Sequence, residues 1–94
     1  MSQHDAEQRE VTYAGRVQGV GFRYTARSVA RRFDVAGFVR NLPDGQVHLV
    51  VEGAAGEVVA FLDAIKAEMG HCIRDSHEVV RPASGQYNMF EIRH

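Results

Sequence analysis

The chain has one cysteine, one lysine and no apolar run near the ~18 residues that a membrane-spanning helix needs. The lone Cys72 excludes an intramolecular disulfide. A free thiol suits a reducing compartment, so the expected location is the cytoplasm. No membrane partner is expected. The opening residues, MSQHDAEQRE, are polar and lack the apolar stretch of a secretory leader. Residues 1–9 are expected to form a flexible N-terminal segment, and 10–94 a single domain. With 94 residues there is material for one modest core and not for two. Hydrophobic residues make up 45% and charged residues 24%, an ordinary globular mix that points to a two-layer architecture.

The scarcity of lysine leaves arginine as ten of the eleven basic residues. The net charge of −1 is unevenly spread. Residues 11–50 carry six arginines against Asp34 and Asp44, a balance of +4, so the remainder carries −5. A guanidinium is a planar fork that matches phosphate and carboxylate. The first half is therefore suited to an anionic ligand, although Arg27, Arg31 and Arg32 read as the solvated face of a helix.

Val11, Tyr13 and Val17 alternate with smaller or polar residues, as in a strand with one buried face. Phe22, Ala26, Val29, Ala30 and Phe33 follow at helical spacing, which predicts a helix over 22–33. Val35, Gly37 and Val39 alternate again. LPDG at 42–45 suits a type I turn, and Val47, Leu49 and Val51 continue as a hairpin partner. Val58, Phe61, Leu62, Ile65 and Met69 predict a second helix that ends near Gly70. A fourth strand is expected over 77–82 and a short one around Phe90 and Ile92. The order is β-α-β-β-α-β, a ferredoxin-like α+β two-layer sandwich with an antiparallel sheet and two helices on one face. Strands one and two then run parallel on either side of strand three. Their C-terminal ends, VQGVGFR and VRN, share one sheet edge.

At that edge QGVGFR joins a strand to a helix N-terminus, where the first N–H groups lack helical partners and the helix dipole is positive. Glycines bring such N–H groups close to a ligand, so the loop can cradle a phosphate. The plain alternative is a tight strand-to-helix connection. A Walker A loop is excluded, because Gly-Lys-Ser/Thr is absent. The dinucleotide fingerprint needs a glycine where Tyr24 stands. Asn41 precedes the turn, where asparagine is common for local reasons. Its amide can also orient a water molecule without transferring a proton itself.

The paired blocks resemble the acylphosphatase family. They comprise Gly15, Val17, Gln18, Gly19, Val20, Phe22 and Arg23, then Gly37, Val39, Arg40, Asn41, Asp44, Gly45 and Val47, with Thr25 and Ala30 between them. The chain departs from the family pattern at Asp34, where glycine is frequent, at Phe38, where tryptophan is frequent, and beyond Met69. The resemblance implies hydrolysis of acyl phosphates, the mixed anhydrides of a carboxylic acid and phosphate, with no metal, cofactor or covalent intermediate. It makes Arg23 and Asn41 the catalytic residues. The backbone N–H groups of Gln18, Gly19, Val20, Gly21, Phe22 and Arg23 become the phosphate-binding loop. The implied ligands are a small-molecule acyl phosphate and inorganic phosphate or sulfate as product mimics. A monomer is expected. A carboxylate leaves readily, which accounts for the lack of any histidine or carboxylate in the two blocks apart from Asp44.

Two other classes share this fold. A carbamoyl-phosphate or anion-binding module would lack turnover. An RNA-binding domain would carry aromatic residues on strand three, and QVHLVVEG has none, so no nucleic-acid partner is expected. His71, Cys72 and His77 match no standard zinc spacing. His48 and Glu52 alternate along strand three and are expected to face solvent. Arg16 is read as a strand residue without a role.

Overall fold

A computed structural model describes residues 6–94. Strand β1 covers Ala6–Gly15, helix α1 Phe22–Ala30, β2 Val35–Asn41 and β3 Val47–Ala54. Helix α2 covers Ala55–Met69, a 3-10 turn Gly70–Cys72, β4 Ile73–Pro82 and β5 Phe90–Arg93. The strand order is β4-β1-β3-β2-β5. β3 is antiparallel to both β1 and β2, so β1 and β2 run parallel with β3 between them. This is the expected ferredoxin-like sandwich. At one edge β5 lies parallel to β2, so the sheet is antiparallel everywhere except there. Among the described residues no helix is long and apolar enough to cross a membrane.

The core lies between the sheet and the helices. Val11, Tyr13, Val39, Leu49 and Val51 face it from the strands. Phe22, Ala26 and Val29 face it from α1, and Val58, Phe61 and Ile65 from α2. These are the periodic positions of the sequence, and each large side chain withdrawn from water contributes about 1.5–3 kcal/mol.

Four boundaries differ from the sequence reading. β1 begins at Ala6, because Ala6 to Arg9 pair with Ala54 to Val51 of β3, so residues 6–9 belong to the sheet; residues 1–5 lie outside the described residues. β1 ends at Gly15, which leaves Arg16 exposed in the following loop. α1 ends at Ala30 instead of Phe33. The N–H groups of Arg31, Arg32 and Phe33 bond to the carbonyls of Ser28, Val29 and Ala30, a tightened last turn. Asp34, where glycine was the family habit, then donates its N–H to Glu57 Oε1 at 2.7 Å instead of turning left-handed. β4 begins at Ile73, four residues earlier than expected, since it pairs with β1 all the way to Gly15.

His48 and Glu52 do lie on the sheet face away from the helices, but neither is open to solvent. Ser84 and Gly85 of the segment 83–89 cover Glu52, and Phe38, Arg40 and Glu10 surround His48. Glu52 accepts hydrogen bonds from Gln8 Nε2 (2.6 Å), from the Ser84 N–H and hydroxyl (2.7 Å each) and from the Gly85 N–H (3.0 Å). Burial pushes its carboxyl pKa upward. The bonds from Ser84, Gln8 and Gly85 outweigh that and hold it below the usual range. His48 accepts from Arg40 Nε at Nδ1 (3.0 Å) and pairs through Nε2 with Glu10 (2.7 Å).

Candidate active site

The loop between β1 and α1 and the end of β2 meet at one sheet edge. Val17, Gly19, Gly21, Phe22, Arg23, Tyr24 and Asn41 line a single cavity of about 150 Å³ there. Arg23 and Asn41, 18 residues apart in sequence, are thus brought together by the parallel course of β1 and β2.

Gly19 and Gly21 have φ of 77° and 80°, the left-handed region that a Cβ penalises. Space is not the constraint, since a Cβ at either would touch nothing within 4 Å. Gly21 is the N-cap of α1. No side chain caps the helix, and its first turn carries no acidic residue. The leading N–H groups of α1 therefore keep their capacity to donate, and Phe22, Arg23 and Tyr24 of this first turn line the cavity. The Phe22 ring is buried, 5.0 Å from the ring of Tyr13 between centroids, which anchors the loop to the core. Val20 stands 45% exposed at the loop tip and is not part of the lining.

Gln18 does something the sequence did not reveal. Its Nε2 donates to the carbonyls of Leu42 (2.7 Å) and Gln46 (2.8 Å). It therefore ties the glycine loop to the hairpin turn that follows Asn41. The turn is closed by Leu42 N–H to Gln46 O (2.8 Å), and the Asp44 carboxylate is occupied by the Gln46 N–H (3.0 Å). The one carboxylate of the two blocks thus serves the turn. Arg23 Nη1 lies 3.3 Å from Nδ1 of His94, which accepts when the guanidinium donates. No local signal marks His94. It reaches this edge because β5 runs parallel to β2.

Among the described residues no three His, Cys, Asp or Glu side chains gather as a metal ligand set. His71 and Cys72 share an open cavity, whereas His77 sits further along β4, opposite Thr12.

The sequence model of the acylphosphatase family matches residues 9–92, nearly the whole described chain. The chain belongs to the acylphosphatase family. It is 39% identical over 83 residues to an acylphosphatase of Archaeoglobus fulgidus, covering 88% of this chain and 93% of that one. It is 43% identical over 91 residues to an acylphosphatase of Anaeromyxobacter dehalogenans, covering 95% and 97%. The crystal structure of the Bacillus subtilis acylphosphatase superimposes with a TM-score of 0.83 at 29% identity, over 94% of this chain and 99% of that one.

Proposed function

We propose that the chain hydrolyses acyl phosphates to a carboxylate and inorganic phosphate by direct attack of water on phosphorus. The observation that carries this reading is the single cavity shared by the glycine loop, Arg23 and Asn41. A phosphate and a water fit a space of that size, given ~30 Å³ per water in the liquid. The free N–H groups of the loop and first helical turn hold the phosphate oxygens. The Arg23 guanidinium adds a charged, planar pair of donors. Both aim at oxygens whose charge is redistributed in the transition state, where fixed donors contribute most. Asn41, at the end of β2, accepts a hydrogen bond from the attacking water and aligns it. The leaving carboxylate needs no protonation, and the phosphate itself takes the water's proton. No metal, cofactor or covalent intermediate enters the reaction.

The reading has the chain work as a cytoplasmic monomer on a small molecule. Nothing favours the RNA alternative, since the open-face aromatic Phe38 is only 7% exposed, beneath Arg93 and near Tyr87. The test is phosphate release from acetyl and benzoyl phosphate with and without chelator. Turnover of both, indifferent to chelator, is expected. No release from either would refute the reading and leave the anion-binding module in its place.

A further inference from the structure

The loop that carries the cradle has a second side. Arg16 and Val17 are consecutive, with Cα atoms ~3.8 Å apart, yet they line different cavities. Val17 faces the one that holds Asn41. Arg16 lines an open cavity of about 370 Å³ together with His71, Cys72 and Arg74. Gly15 makes this possible. Its φ is 129°, and a Cβ there would lie 2.5 Å from the Cys72 carbonyl oxygen and 2.7 Å from the Arg74 nitrogen. The β1–β4 register shifts between Ala14 and Gly15. That close approach sets Arg16 beside Arg74.

The lining contains two guanidinium groups and an imidazole but no carboxylate. Both arginines are exposed, and among the described residues neither forms an ion pair. Exposed arginines are common, so position has to decide. In-line displacement puts the entering water and the leaving carboxylate on opposite sides of phosphorus. Asn41 marks the water side, at the end of β2. With the order β4-β1-β3-β2-β5, the opposite side lies over the ends of β1 and β4, where Gly15 pairs with Ile73. Neighbouring strands are ~4.8 Å apart, so β4 is on the order of 10 Å from β3. An acyl group that leaves on that side would run toward the arginines.

Resting on the acyl phosphate reading, we infer that Arg16 and Arg74 form a second anion site. It selects acyl phosphates whose acyl group ends in an anionic group of its own, several bonds from the scissile anhydride. The reaction is unchanged: the P–O bond to the carboxylate breaks, the water oxygen bonds to phosphorus, and the arginines hold the far anion.

The test compares kcat/KM for benzoyl phosphate with its 4-carboxy and 4-phosphono derivatives, in the wild type and in Arg16→Gln, Arg74→Gln and the double variant. The wild type is expected to prefer an anionic derivative, less so at high salt. The ratio of anionic to neutral substrate should fall about threefold for each single variant and about tenfold for the double, as for exposed ion pairs. Whichever derivative is favoured identifies the anion as carboxylate-like or phosphate-like. Turnover of all three at equal kcat/KM, or a ratio unmoved by both substitutions, overturns the second site alone. Failure to turn over any of the three overturns the hydrolase reading together with it.

Discussion

Replacing Gln18 with alanine separates the two halves of the candidate site without altering either. The amide Nε2 donates to Leu42 O at 2.7 Å and to Gln46 O at 2.8 Å, in a partly buried position. A hydrogen bond of this kind contributes about 0.5–1.5 kcal/mol net. The freed carbonyls lie in a half-exposed turn where water can reach them, which places the loss near the lower end, about 1–2 kcal/mol for the pair. For a domain of this size each kcal/mol moves Tm by roughly 4–8 °C, so Gln18→Ala should melt roughly 5–15 °C lower. The catalytic consequence is separable. The backbone N–H groups of the loop remain, so phosphate affinity and KM change little. Asn41 loses its fixed distance from the cradle, and a displacement of about 1 Å costs up to ~10²-fold in rate. The expectation is a kcat at least tenfold lower at a temperature well below melting. Circular dichroism melting and steady-state kinetics on acetyl phosphate measure both quantities. A variant with unchanged Tm and unchanged kcat would show that the Gln18 bridge does not position Asn41.

Arg23→Ala removes the one guanidinium lining the cradle. Turnover should fall by about 10²–10³-fold, as for loss of a transition-state donor, and inhibition by inorganic phosphate should weaken in parallel. His94→Ala deletes the contact at 3.3 Å that restrains Arg23. A loss of about 0.5–1 kcal/mol predicts a two- to fivefold lower kcat/KM with an unaltered fold; an intact kcat/KM would show that the contact has no bearing on the site. Glu52 has a carboxyl pKa held below its ordinary 4.5 by hydrogen bonds, after burial has raised it. A depressed pKa contributes stability above the unfolded value and loses it as pH falls through the folded one. Glu52→Gln should therefore lower stability at neutral pH and flatten the acid limb below about pH 4.5, read by urea unfolding at several pH values. An identical acid limb in the variant would assign acid sensitivity to other carboxylates.

The candidate site was legible because its parts are local. Gly19 and Gly21 stand where a left-handed backbone is required, and Arg23 and Asn41 end up together once two parallel strands are inferred from hydrophobic spacing. What escaped reading depends on distant partners. β4 is an edge strand exposed over most of its length, so no alternation announces where it begins. Glu52 looks like a solvent-facing residue until Ser84 and Gly85, more than 30 residues on, fold across it, and His48 until Glu10 and Arg40 of the neighbouring strands bond to it. Beyond the end of α1, the Asp34 N–H donates to Glu57, 23 residues downstream, which no local capping rule anticipates. Gln18 reads as a loop residue from its glycine neighbours, but its side-chain role requires knowing that the 42–46 turn packs against it.

In the proposed mechanism the glycine loop and Arg23 hold the phosphate, and Asn41 holds the water. Asn41→Ala tests this most directly, with turnover and phosphate binding measured on the same preparation. Phosphate release from acetyl phosphate should drop by about 10²–10³-fold, while calorimetric affinity for inorganic phosphate or sulfate stays within about twofold of wild type. Retained turnover, or an equal loss of binding and turnover, would contradict the division of labour between Arg23 and Asn41.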